Sequence, residues 1–214
     1  MSTTALIRWS GGALLLAGAL ITAHLFHPDG ADPNAMLDPA WSPVHILLGA
    51  GFIVSLLGLI GLHARQANEA GRLGAVGFAL VFVSTATVGG SILSDEGFIL
   101  PAIARDDAAG TLLDPSGPIF GGPFGLVFLS ASIAFALGAI LLGIATIRAG
   151  VLPRWAGVLL LAGGPLVPFA PPLPQVVGNV GGLLLGLGYV WLGYAVWSES
   201  AARSAQPEET AAAN

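Results

Sequence analysis

Apolar residues in this chain come in long unbroken blocks, and the polar residues collect in the short stretches between them. Six blocks stand out, at 5–26, 44–62, 73–93, 124–147, 155–170 and 176–197. About 20 apolar residues in a helix cover the roughly 30 Å of a bilayer's hydrocarbon. The pattern therefore predicts an all-α integral membrane protein, a bundle of six transmembrane helices. The second block starts cleanly, because Ser42 suits a helix cap and Pro43 a first helical turn. The fifth is 16 residues long and holds Gly163-Gly164-Pro165 and Pro168, so a kinked or partly unwound helix is expected there. The segment "GFILPAIA", following Glu96, is apolar but too short to cross and is expected to lie at the interface or re-enter the bundle. From Ser198 onward the small, polar tail at 198–214 is expected to be disordered.

Charge then orients the blocks. Arg8, Arg65, Arg72, Arg148, Arg154 and Arg203 fall on one side of a six-span arrangement, and Arg105 alone falls on the other. Basic residues are retained on the cytoplasmic side, so both termini are expected in the cytoplasm of a plasma (inner) membrane. Eight acids, among them Asp29, Asp32, Asp38, Asp107 and Asp114, then lie outside. An N-terminal secretory signal is the alternative for the first block, which has Arg8, an apolar core and small Ala17 and Ala19; its removal would leave five spans.

Composition agrees with lipid as the solvent. Only 9% of residues are charged, against about a quarter in soluble domains, and the mean hydropathy is +0.84. There is no lysine, which excludes a Walker-type phosphate loop. The net charge of −5 gives nucleic acid nothing to bind. The absence of cysteine excludes thiolate metal sites and Fe–S clusters. Glycine, at 31 of 214 residues, is about twice as frequent as usual. In lipid, small residues let helices approach closely. Gly178, Gly182 and Gly186 form a small stripe on the last block, which serves either internal packing or a seam with a partner subunit or a second copy.

Chemistry concentrates in "AHLFHPDGADPNAMLDPAWSPVHILLG" at 23–49. His24 and His27 are three apart and share a helix face. His45 starts the next block at the same depth, and Glu96 ends the third block there. These four residues are the candidate metal ligands. Imidazole with carboxylate suits zinc, copper or non-haem iron, two facing histidines suit a haem, and acid with histidine suits a proton path. Ordinary interfacial polar residues are the competing account. His63 lies about 27 Å from His45 along the helix and belongs to the other face.

The stretches "WSPVHILLGAGFIVSLLGLIGLHARQANEAGRLGAVGF" and "RAGVLPRWAGVLLLAGG" resemble small multi-span bacterial membrane proteins with no assigned activity. The resemblance implies a helical bundle in a bacterial or archaeal membrane and transfers no active residues. With small-residue faces and no charge at mid-depth, the expected role is a non-catalytic accessory or scaffold subunit of a membrane complex. A redox, metal or haem protein built on the histidines is the alternative. A small-molecule transporter is a further one, if the Gly163–Pro168 break lines a cavity.

Overall fold

The computed structural model describes residues 2–30, 32, 34–106, 109–169 and 174–212, with side chains as far as Glu199. All regular structure among them is helical. Helix α1 is Thr3–Ile21, capped by Ser2, whose hydroxyl accepts from the Ala5 amide at 3.2 Å. It tightens into a 3₁₀ turn at Thr22–Phe26. Helix α2 is Trp41–Ser91, continued by a π-helical stretch, Ile92–Ile99, and by α3, Leu100–Ile103. A short helix α4, Ala109–Leu112, leads towards α5, Pro123–Ala149, then α6, Arg154–Leu166, and α7, Gln175–Ala212. Four stretches are long and apolar enough to cross a membrane: Thr3–Phe26, Trp41–Ile103, Pro123–Ala149 and Gln175–Glu199.

The second of these is a hairpin. At Gly71 the backbone turns to φ 56°, ψ −150°, a region essentially closed to residues with a Cβ. The two arms of α2, 41–70 and 72–91, then run back along each other. Gly49 lies against Leu93, Gly89 against Phe52, and His63 stacks on Phe78 at 4.3 Å. Between the second and third blocks the chain turns at this one glycine, with Arg65 still inside helix. Helix also persists beyond residue 93: "GFILPAIA" belongs to the same rod, whose backbone hydrogen bonds continue through the π turn. At the start of α2 the cap is Ala40, with no side-chain bond from Ser42. Asp38 instead accepts from the Ala40 amide at 2.7 Å, an Asx turn that places Trp41 as the first helical residue.

Chain neighbours are neighbours in space. Gly58 of the first α2 arm meets Leu14 of α1, and Gly138 of α5 meets Val81 of the second arm. Gly143 of α5 meets Gly157 of α6, and Gly163 of α6 meets Leu185 of α7. The ring closes because α7 returns to α1, Gly193 against Leu15 and Gly182 against His24. The six rods alternate in direction, so the last finds the first antiparallel as well. At each seam a glycine removes the Cβ that would hold the backbones apart. The Gly178, Gly182 and Gly186 stripe is buried inside the chain, Gly186 against Thr22 and Gly18. That is the internal-packing use of the stripe.

The fifth block is shorter than the pattern implied. Helix α6 has 13 residues and ends at Leu166, with Pro165 inside its last turn. Val167–Phe169 form a turn, and Ala170 lies outside the described residues, as do Asp107 and the last two residues of the tail. Helix α7 continues past Trp197 to Ala212. Arginines gather at the end of the ring where Gly71 turns. Arg65 Nε donates to Glu199 Oε2 at 2.6 Å, and Arg8 lies over Trp197 at 5.4 Å. Outward-facing Leu16, Leu57, Val83, Leu126, Leu137 and Leu187 are exposed.

Candidate functional site

At the opposite end, the 3₁₀ turn after α1 brings the three histidines together. Its tighter winding swings His24 inwards, and the chain leaves the helix at His27 with extended backbone. His24 is 7% exposed and His45 5%, so neither is an interfacial side chain bathed in water. The His24 and His27 rings stack at 5.1 Å and 17°. His27 meets His45 edge-on at 4.7 Å, and Trp41 stacks on His45 at 4.3 Å. Sequence depth predicted the shared layer; the ring stacking could not be foreseen from spacing.

Hydrogen bonds orient the pair closely. His27 Nδ1 lies 2.6 Å from the Pro28 carbonyl oxygen, and His45 Nδ1 lies 2.8 Å from that of Trp41. A carbonyl oxygen only accepts, so each Nδ1 carries the proton. The two Nε2 atoms face each other at 3.2 Å. Burial pushes the His27 imidazole below its ordinary 6.5, and the Pro28 carbonyl opposes this by favouring the charged ring. Helix α7 holds the turn from the other side: Gln175 Nε2 donates to the His27 carbonyl at 3.2 Å and to Asn179 Oδ1 at 3.1 Å.

Glu96 reaches the same place by a different route. It sits in the π-helical stretch, where an extra residue per turn rotates the following side chains, a feature frequent at functional sites. Its carbonyl accepts from Trp41 Nε1 at 2.9 Å, which ties the start of one arm to the end of the other. Its neighbour Asp95 is occupied separately, accepting from Ser91 at 2.7 Å and Ser94 at 3.0 Å.

These residues line one end of a cavity of about 390 Å³. His24, His27, His45, Glu96, Asp29 and Gln175 form its polar end. Phe120, Phe124 and Phe128 of α5 and its approach, with Leu48, Val88 and Ile92 of α2 and its π-helical extension, form the wall. Phe52 and Phe135 also line it and pack edge to face at 5.7 Å, and Val167 and Pro168 reach it from the break after α6. Hydropathy and charge give no hint of this aromatic wall; the Phe120, Phe124, Phe128 spacing of four is its only signal in the sequence. Among the described residues no three His, Asp or Glu side chains are arranged to surround one ion. His63 lies far from this end, stacked on Phe78. The fold and site thus define an all-helical protein with four helices long and apolar enough to cross a membrane and a largely apolar cavity lined at one end by three histidines. No family model, curated protein or solved structure matches the chain.

Proposed function

We propose that this is a six-crossing plasma-membrane protein, both termini cytoplasmic, that binds a small amphipathic molecule through its outward-opening cavity. The Trp41–Ile103 stretch counts as two crossings because it folds back at Gly71, and α6 supplies a short fifth. Its 13 residues make about 20 Å, so the bilayer or the adjoining turn must accommodate it. Arginines at the Gly71 end support a cytoplasmic placement for that end.

One observation carries the binding role: the cavity runs from the buried histidines to the Phe52–Phe135 contact. Phe52 lies about 16 Å along the helix from Trp41, around half the hydrocarbon thickness. A volume near 390 Å³ with apolar walls, aromatic and aliphatic in similar share, is of the size and chemistry of ligand pockets. The polar end offers acceptors. Trp41 Nε1 is engaged with the Glu96 carbonyl, and Gln175 Nε2 with His27 and Asn179. Bare Nε2 atoms and the Glu96 carboxylate remain for the ligand. The favoured ligand has an apolar, aromatic-compatible body and a hydrogen-bond-donating head. The accessory-subunit role draws no support from the glycine stripe, which α1 covers.

Calorimetric titration in detergent with 2-naphthol and its methyl ether tests this, with Val88→Trp, whose indole fills the cavity, as the blank. Saturable naphthol binding is expected, about 10-fold or more tighter than the ether, since a buried acceptor left unpaired costs about 1–3 kcal/mol. Equal binding to the wild type and Val88→Trp refutes the reading.

A further inference from the structure

We propose that His27 Nε2 and His45 Nε2 form two adjacent ligand positions of a borderline divalent metal ion, of the zinc class, at the polar end of the cavity. Proton placement is the starting point. Each imidazole has two nitrogens, and in both rings Nδ1 is committed as donor to a backbone carbonyl, at 2.6 Å and 2.8 Å. In the neutral rings both Nε2 atoms are then bare lone pairs, held 3.2 Å apart. Two acceptors facing each other at that distance repel unless a proton or a metal cation lies between their lone pairs, and ¹⁵N shifts of the metal-free protein separate the two.

The spacing selects the kind of cation. Zinc–nitrogen bonds are about 2.0–2.1 Å, so two nitrogens 3.2 Å apart subtend about 100° at the metal. That is near the tetrahedral angle. Axial ligation of a haem needs the nitrogens on opposite sides of the iron, about 4 Å apart, and 3.2 Å is too short for it. The Nδ1–H to carbonyl bonds are the outer-sphere arrangement that fixes tautomer and ring direction in metal-bound histidines. Trp41 stacking on His45 and His24 stacking on His27 lock the two rings further. Imidazole suits zinc, copper and nickel rather than the hard cations.

The chain itself supplies two ligands in this geometry, and both rings line the cavity that Glu96 also lines. Open positions are what distinguishes a metal that handles a ligand from one that only braces a fold. The inference deepens the binding role: the ion takes up the two Nε2 lone pairs and would meet the oxygen of the ligand's hydroxyl head, which leaves Glu96 to accept that hydroxyl's hydrogen bond. It stands on its own geometry, however, and is tested with no small molecule present.

Metal-stripped protein in detergent is titrated with Co²⁺, whose visible d–d bands report coordination geometry. Wild type, His27→Ala, His45→Ala and His63→Ala are compared, with far-ultraviolet circular dichroism confirming the helical fold of each. One equivalent with intense, tetrahedral-type bands is expected for wild type and His63→Ala. His27→Ala and His45→Ala each weaken binding by more than the about 10–100-fold that loss of an outer-sphere partner costs. Should His45→Ala fail to fold, ¹⁵N shifts of the metal-free wild type carry the test, with both rings expected as Nδ1–H tautomers. The proposal is overturned by no saturable Co²⁺ binding, by binding that survives both substitutions, or by an imidazolium signal showing one proton shared between the Nε2 atoms. Failure here with naphthol binding intact leaves the cavity role standing, and the converse leaves the metal site standing.

Discussion

Gly49 packs the first arm of α2 against the π-helical extension of the second at the level of the site, and replacing it with alanine separates them by a calculable amount. An added Cβ would lie 2.6 Å from the Cα, Cβ and N of Leu93 alike. Two of these are backbone atoms, so no rotamer change relieves the contact. Ordinary contact begins near 3.4 Å, so the arms must part by about 0.8 Å. The Trp41 Nε1 to Glu96 carbonyl bond spans the same two arms at 2.9 Å. Stretched by a similar amount it leaves hydrogen-bonding range. Overpacking costs about 1–3 kcal/mol, and the lost bond adds about 0.5–1.5 kcal/mol. The expected penalty for Gly49→Ala is therefore about 1.5–4.5 kcal/mol by these two contributions. Gly90 provides the control, being in the same helix with nothing within 4 Å of where an added methyl would sit. Gly90→Ala should be neutral or stabilise by up to about 1 kcal/mol through helix propensity. Reversible unfolding in mixed micelles measures both. A Gly49→Ala penalty no larger than that of Gly90→Ala refutes the close-approach argument.

Two further predictions test the frame around the site. Gly71→Ala meets nothing within 4 Å, so its cost is purely conformational, about 1–3 kcal/mol for a backbone at φ 56°, ψ −150°; an unchanged unfolding midpoint refutes the glycine hinge. Gln66 is fully buried with both amide atoms unpartnered. Gln66→Leu should raise the unfolding midpoint, since removing an unsatisfied buried amide recovers about 1–3 kcal/mol, and a lowered midpoint means the amide has a partner in the membrane.

Membrane character and the depth of each polar group were legible in the sequence, because both accumulate locally. Hydropathy is a sum over neighbours, and depth grows by about 1.5 Å per helical residue. That is why block boundaries alone assign His24, His27, His45 and Glu96 to one layer. Direction around the helix axis is not local in this way. Whether a side chain faces lipid, a neighbour or a cavity depends on which rod lies beside it. Tertiary structure therefore decided that α1 covers the Gly182 and Gly186 stripe and that Gly71 replaces a loop. It decided too that the third rod runs on through a π turn to carry Glu96. The site itself depends on still finer terms. The facing Nε2 atoms exist only because two backbone carbonyls, of Pro28 and Trp41, capture the Nδ1 protons. Those carbonyls are present in every chain and leave no mark in its sequence; that of Pro28 comes within reach because the chain has left the helix there, and that of Trp41 because it lies one helical turn before His45.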